Sequence, residues 1–127
     1  MDSQRERTLY LVTPDEDTIR HLEQLFGSRG FSCQPCRSAG EFFGKGRAAN
    51  GVVLTASQLP DMTGAELVQQ MKKSGGKVPT IILSADGDVG SAVEAFRAGA
   101  VDFLELPFVD RVLLDRVKDL FKRIEDD

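Results

Sequence analysis

The chain has no tryptophan and a single tyrosine against eight phenylalanines, so its core should be aliphatic with phenylalanine as filling. No apolar run approaches the ~20 residues that a membrane-spanning helix needs. The N-terminal MDSQRERT lacks the apolar centre of a secretory signal. These absences fit a cytoplasmic protein without membrane contact. A basic surplus is missing too: the formal net charge is −4, which gives no support for direct nucleic-acid binding through a clustered basic face. No glycine-rich phosphate cradle occurs, and no small-molecule substrate is expected. Histidine occurs once, as His21, with no partner pattern, and reads as a helix-surface residue.

Cysteine is scarce. Cys33 and Cys36 stand in CQPC, the spacing of thioredoxin-type redox centres, so a dithiol redox protein is one reading. Such a centre exposes its first thiol at the N-terminus of a helix that follows a strand. Here FSCQPC is itself strand-like and the helical pattern starts only at Ser38. Two small, half-buried thiols are the better reading.

What the chain does have is alternation. Its 127 residues suit one domain over 1–127 with a core at about 8–124. TLYLV (Thr8 to Val12), FSCQPC, GVVLTA, VPTIILSA and AVDFLE read as five strands. Between and after them run five helical patterns. The first places Ile19, Leu22, Leu25 and Phe26 inward, and the second is short, capped by Ser38. The third turns Leu67, Val68 and Met71 inward, and the fourth Val89, Ala92, Val93 and Phe96. The last buries Leu113, Leu114, Val117, Leu120, Phe121 and Ile124. GVVLTA is apolar throughout, as a strand covered on both faces must be. The alternation points to a doubly wound α/β domain with a parallel sheet.

In such a fold, function gathers at the carboxyl ends of the strands. A nucleotide binder would seat a phosphate on the first helix, but Asp15, Glu16 and Asp17 there repel one. Two longer stretches carry a more specific signal. LPDMTGAELVQQMK resembles the Met-Pro-x-Met-x-Gly-x-Glu-Leu segment of bacterial response-regulator receiver domains. GDVGSAVEAFRAGAVDFLELPF is similar to the fourth and fifth βα units of the branch that carries a helix-turn-helix DNA-binding domain downstream, and GFSCQPCRSAGEFF to the family's second unit. The resemblance implies a flavodoxin-like (βα)5 fold with sheet order 2-1-3-4-5, and a regulatory module of the two-component phosphorelay rather than an enzyme.

A working receiver accepts a phosphoryl group on an aspartate at the end of strand 3. It holds Mg²⁺ with an acidic pair after strand 1, and binds the phosphoryl oxygens with a hydroxyl after strand 4 and a lysine after strand 5. Carried over residue by residue, the acidic pair falls on Thr13 and Pro14, the acceptor on Ala56, the hydroxyl on Ser84 and the lysine on Leu106. Only Ser84 keeps its chemistry. Mg²⁺ needs oxygen ligands with carboxylates among them, so no metal or other cofactor is expected. A lone lysine would be a charge without a partner. Leu106 avoids that and is expected to pack over Ala56 and Pro14 as a small apolar plug.

Other carboxylates could substitute, giving a conventional phosphoacceptor on a non-standard aspartate. Asp15 stands one residue late and suits the cap of the first helix. Asp61 lies beyond Pro60, while Asp86 and Asp88 stand at the start of the fourth helix. Thr55 and Ser57 flank Ala56 and should point away from it. Phe103 falls at the family's aromatic switch position, with core packing as its ordinary role. The resulting expectation is a degenerate pseudo-receiver working without phosphorylation through a protein partner or a homodimer. Its contact face would be helix 4, strand 5 and helix 5, with Arg97, Asp110, Arg111, Asp115 and Lys118 exposed there. Its output would be transcription, through an attached or partner domain. The resemblance also implies a cis Leu106–Pro107 peptide.

Overall fold

The computed structural model describes residues 7–45, 51–85 and 89–126. Five strands alternate with five helices: β1 (Arg7–Val12), α1 (Glu16–Gly27), β2 (Phe31–Cys36), α2 (Ala39–Gly44), β3 (Gly51–Ala56), α3 (Gly64–Lys73), β4 (Thr80–Ser84), α4 (Val89–Ala98), β5 (Asp102–Glu105) and α5 (Asp110–Asp126). The sheet order is β2-β1-β3-β4-β5, with every pair parallel. This is the expected flavodoxin-like topology. Pro35, which cannot donate to a ladder, is accommodated because β2 is an edge strand.

Side chains alternate across the sheet and so build two unequal cores. On one face Leu9, Leu11, Val52, Leu54, Ile81 and Leu83 pack beneath α1 and α5, against Leu22, Phe26, Leu113, Val117 and Phe121. On the other, Val12 and Val53 meet α2 and α3 through Phe42, Leu67 and Met71. Farther along that face Ile82 meets Val68, Ala95 and Ala98, with Phe103 packed at the margin. Phe103 thus has the packing role expected of it.

Helix 4 corrects the sequence reading. Its inward face is Ala95 and Ala98, whereas Val93 and Phe96 are 47% and 50% exposed. Both stripes fit a 3.6-residue period, and small alanines let the helix lie close to the sheet. Helix 5 follows the reading, with Leu114 and Ile124 only partly buried.

Local chemistry fixes the connections. Thr63 and Glu66 form a reciprocal capping box at the start of α3. Gly64 lies so close to the end of β3 that a Cβ there would stand 2.6 Å from the Ala56 carbonyl oxygen. The Ser38 hydroxyl accepts from the Glu41 amide at 3.1 Å and caps α2 as expected. Arg7 closes the other end of the molecule, its Nε and Nη2 each 2.8 Å from an oxygen of Glu125. Its guanidinium also lies over the rings of Phe31 and Phe121, 5.8 and 5.9 Å from their centroids. The Leu106–Pro107 peptide is cis, as expected.

Candidate functional site

The carboxyl ends of β1, β3 and β4 converge on a cleft of about 390 Å³. Leu22, Leu54 and Leu83, from the core under α1 and α5, form its apolar base. Thr13, Pro14 and Asp15 enter from the loop after β1, and Ala56, Ser57 and Gln58 from the end of β3. Ala85 and Leu106 complete the wall. Four of the five positions singled out by sequence, Thr13, Pro14, Ala56 and Leu106, therefore share one wall.

Ser84 is not on that wall. It is fully buried, and the Ser57 hydroxyl reaches its Oγ at 3.4 Å. Ser57 was expected to point away from Ala56. It does so: Ala56 pairs with Leu83, the Ser57 amide continues the ladder to the Leu83 carbonyl at 3.0 Å, and the Ser57 hydroxyl turns to Ser84, while the residue still borders the cleft. Thr55 does behave as a buried strand residue, its hydroxyl donating to the Ala56 carbonyl at 3.0 Å. The expected plug is absent. Leu106 is half-buried against the core and borders the cleft without filling it. A second concavity of about 400 Å³, lined by Asp17, His21, Pro107 and Phe108, shares Thr18 and Leu106 with the first.

The carboxylates are also accounted for. Asp15 is at the N-cap position of α1, but its side chain caps no backbone amide. Its Oδ2 accepts from the Thr18 hydroxyl at 2.6 Å, and its own amide donates to Thr13 Oγ1 at 3.2 Å. Asp61 accepts from the amides of Ala39 and Gly40 at 3.0 and 2.8 Å, so it holds the first turn of α2 from a distant loop. Those bonds, Gly40 first, keep its carboxyl below the usual carboxylate range. Asp86 and Asp88 lie outside the described residues.

The donor set does not fit the magnesium ion of a working receiver. The ion takes near-octahedral oxygen ligands including carboxylates, whereas Thr13, Pro14 and Ala56 offer one hydroxyl and no carboxylate. Among the described residues no cluster of three or more His, Cys, Asp or Glu side chains is placed to hold a metal.

The dithiol reading fails on geometry. Cys33 packs with the core under α1 and α5 and Cys36 with the core under α2 and α3, on opposite faces of the sheet. Burial pushes the Cys33 thiol up to about 11, and burial raises Cys36 as well. Neither is an activated thiolate.

His21 is a surface residue as expected, but it has a partner. Its Nε2 lies 2.7 Å from Asp110 Oδ1, and its ring meets Phe108 edge-on at 5.7 Å. Asp110, at the start of α5, is exposed as expected, and its carboxylate is engaged by His21 of α1. Arg97, Arg111, Asp115 and Lys118 are exposed as expected. Sequence reasoning missed the pairing of Arg116 on α5 with Asp102 of β5, and the pairing partners 14 residues apart left no local signal.

Residues 10–118 match the response regulator receiver domain family. The chain belongs to that family. The receiver is 35% identical over 112 residues to transcriptional regulatory protein FixJ of Rhizobium meliloti (strain 1021), covering 87% of this chain and 55% of FixJ. It is 33% identical over 121 residues to response regulator protein TodT of Pseudomonas putida, covering 94% of this chain and 53% of TodT. The receiver thus spans about half the length of these curated relatives. Its backbone superposes on the crystal structure of FixJ-N with a TM-score of 0.83 at 32% identity, over 94% of this chain and 96% of that one. A receiver protein from Pseudoalteromonas atlantica gives 0.85 at 30%, over 91% and 97%. Among the described residues, no helix of the receiver is long and apolar enough to cross a membrane.

Proposed function

We propose that this receiver domain regulates an output by protein–protein contact, without phosphorylation, Mg²⁺ or any other cofactor. The observation that carries the reading is the cleft wall. Thr13, Pro14, Ala56 and Leu106 meet there, and among the described residues no basic side chain lines it. Phosphoryl transfer to a carboxylate needs an acceptor and cations that neutralise the transferred charge, and both are missing from these positions. The output is transcription, through an attached or partner domain, by similarity to the transcriptional regulatory relatives.

The contact face is that of α4, β5 and α5, for a protein partner or a second copy. Val93 and Phe96 stand on adjacent turns of α4 with about half of their surface open, and Val101 in the turn before β5 is 47% exposed. Apolar residues this exposed, with the exposed charges of Arg97 on α4 and of Arg111, Asp115 and Lys118 on α5, suit a protein interface. A domain with no phosphoryl group to bias two states has its conformation set by sequence or by whatever binds it.

Intact mass after incubation with acetyl phosphate and Mg²⁺ tests the reading. No change in mass is expected for the native chain or for Ala56→Asp. An acid-labile gain of one phosphoryl group on the native chain, mapped to Asp15 or any other aspartate, would overturn it.

A further inference from the structure

The cleft at the strand ends is open, although the chemistry that would occupy it in a working receiver is gone. Its volume, about 390 Å³, falls in the ~300–1,000 Å³ range of small-molecule sites, which are mostly apolar with a few placed polar groups. The apolar part is Leu54, Leu83 and Leu106. The polar lining comes from Thr13, Asp15 and Thr18 around the start of α1 and from Ser57 and Gln58 after β3, with Asp15 its one carboxylate among the described residues.

Charge decides which chemistry fits. Among the described residues, no lysine, arginine or histidine lines the cleft. The neighbouring acids are paired, Glu16 with Arg37 and Asp17 with Arg20, whereas Asp15 is in no salt bridge among the described residues. Its carboxylate accepts one hydroxyl, that of Thr18, and retains capacity for further donors. An anion there would face the Asp15 carboxylate with no cationic partner in the lining among the described residues.

We infer that the cleft binds a small amphipathic molecule with an apolar body and a protonated amine, the body against Leu54, Leu83 and Leu106 and the ammonium on Asp15. The inference goes beyond the function proposed above and does not depend on it, because binding here requires no phosphoryl chemistry.

Two probes of similar size and opposite charge, 2-phenylethylammonium and 3-phenylpropionate, test it in amide-resolved NMR titrations of the full chain. Saturable shifts are expected at Asp15, Ser57, Gln58 and Ala85, with the ammonium bound about two- to fivefold more tightly, the worth of one exposed ion pair. Asp15→Asn should bring the two affinities together while leaving the apolar contribution, and Ala56→Leu should fill the cleft and abolish both. If Ala56→Leu fails to fold, the Asp15→Asn comparison decides alone. Equal affinities in the native chain, tighter binding of the carboxylate, shifts away from the cleft, or no saturation would each overturn the assignment.

Discussion

Exchanging Leu106 for lysine and Ala56 for aspartate, singly and together, asks whether the cleft's side chains belong to one another. Leu106 is half-buried against the cluster that holds Leu22, Leu54 and Leu83. Burying a whole leucine is worth about 1.5–3 kcal/mol, so Leu106→Lys, whose stem covers part of the same surface, costs about 1 kcal/mol. Ala56→Asp sets a carboxylate against Leu54, Leu83 and Leu106 with no cation on the wall among the described residues. An incompletely satisfied polar group of this kind costs about 1–3 kcal/mol. In the double variant each charge supplies the partner the other lacks. A half-exposed pair attracts by up to about 1 kcal/mol, and relief of isolation adds to that. The double variant should therefore be about 1–2 kcal/mol more stable than the two single costs predict, within the range found for residues sharing a site. Urea unfolding followed by circular dichroism reads all four proteins, provided the m-value stays constant. Costs that add to within about 0.5 kcal/mol would refute the reasoning, because Ala56 and Leu106 would then be independent positions.

Gly64→Ala should destabilise by about 1–3 kcal/mol, since its Cβ would sit 2.6 Å from the Ala56 carbonyl oxygen; an unchanged urea midpoint would show that the loop moves freely away from β3. Both thiols should alkylate slowly at neutral pH. Cys33 keeps its proton in the folded state up to about pH 11 against 9.0 for an ordinary thiol. Its contribution to stability is thus whole below pH 9 and lost as pH rises towards 11, and Cys33→Ala should flatten that part of the fall. Identical pH profiles for the two proteins would remove the assignment. Phe96→Asp should leave stability within about 0.5 kcal/mol, as a surface change, yet weaken association with a partner or second copy in sedimentation velocity. A large loss of stability would instead place Phe96 in the core.

The alternation of strands and helices was legible because each element carries its own period: apolar runs such as Val52 to Leu54, and inward stripes such as Leu67, Val68 and Met71. The cleft was legible through Pro60 and Pro107, which mark the ends of β3 and β5 and so locate Ala56 and Leu106. Helix 4 was misread because two stripes compete in its sequence and hydrophobicity favours the larger side chains. Only the distance to the sheet decides for Ala95 and Ala98. The rest was hidden because it is long-range. Asp61 serves α2 from 22 residues away and His21 meets Asp110 across 89.

The clamp of Arg7 on Glu125 has a thermodynamic consequence. It joins the start of the first strand to the last turn of α5, two points separated by 118 residues of chain. Fraying of the last turn of α5 therefore costs this contact with β1 as well, up to about 1 kcal/mol for a partly exposed pair.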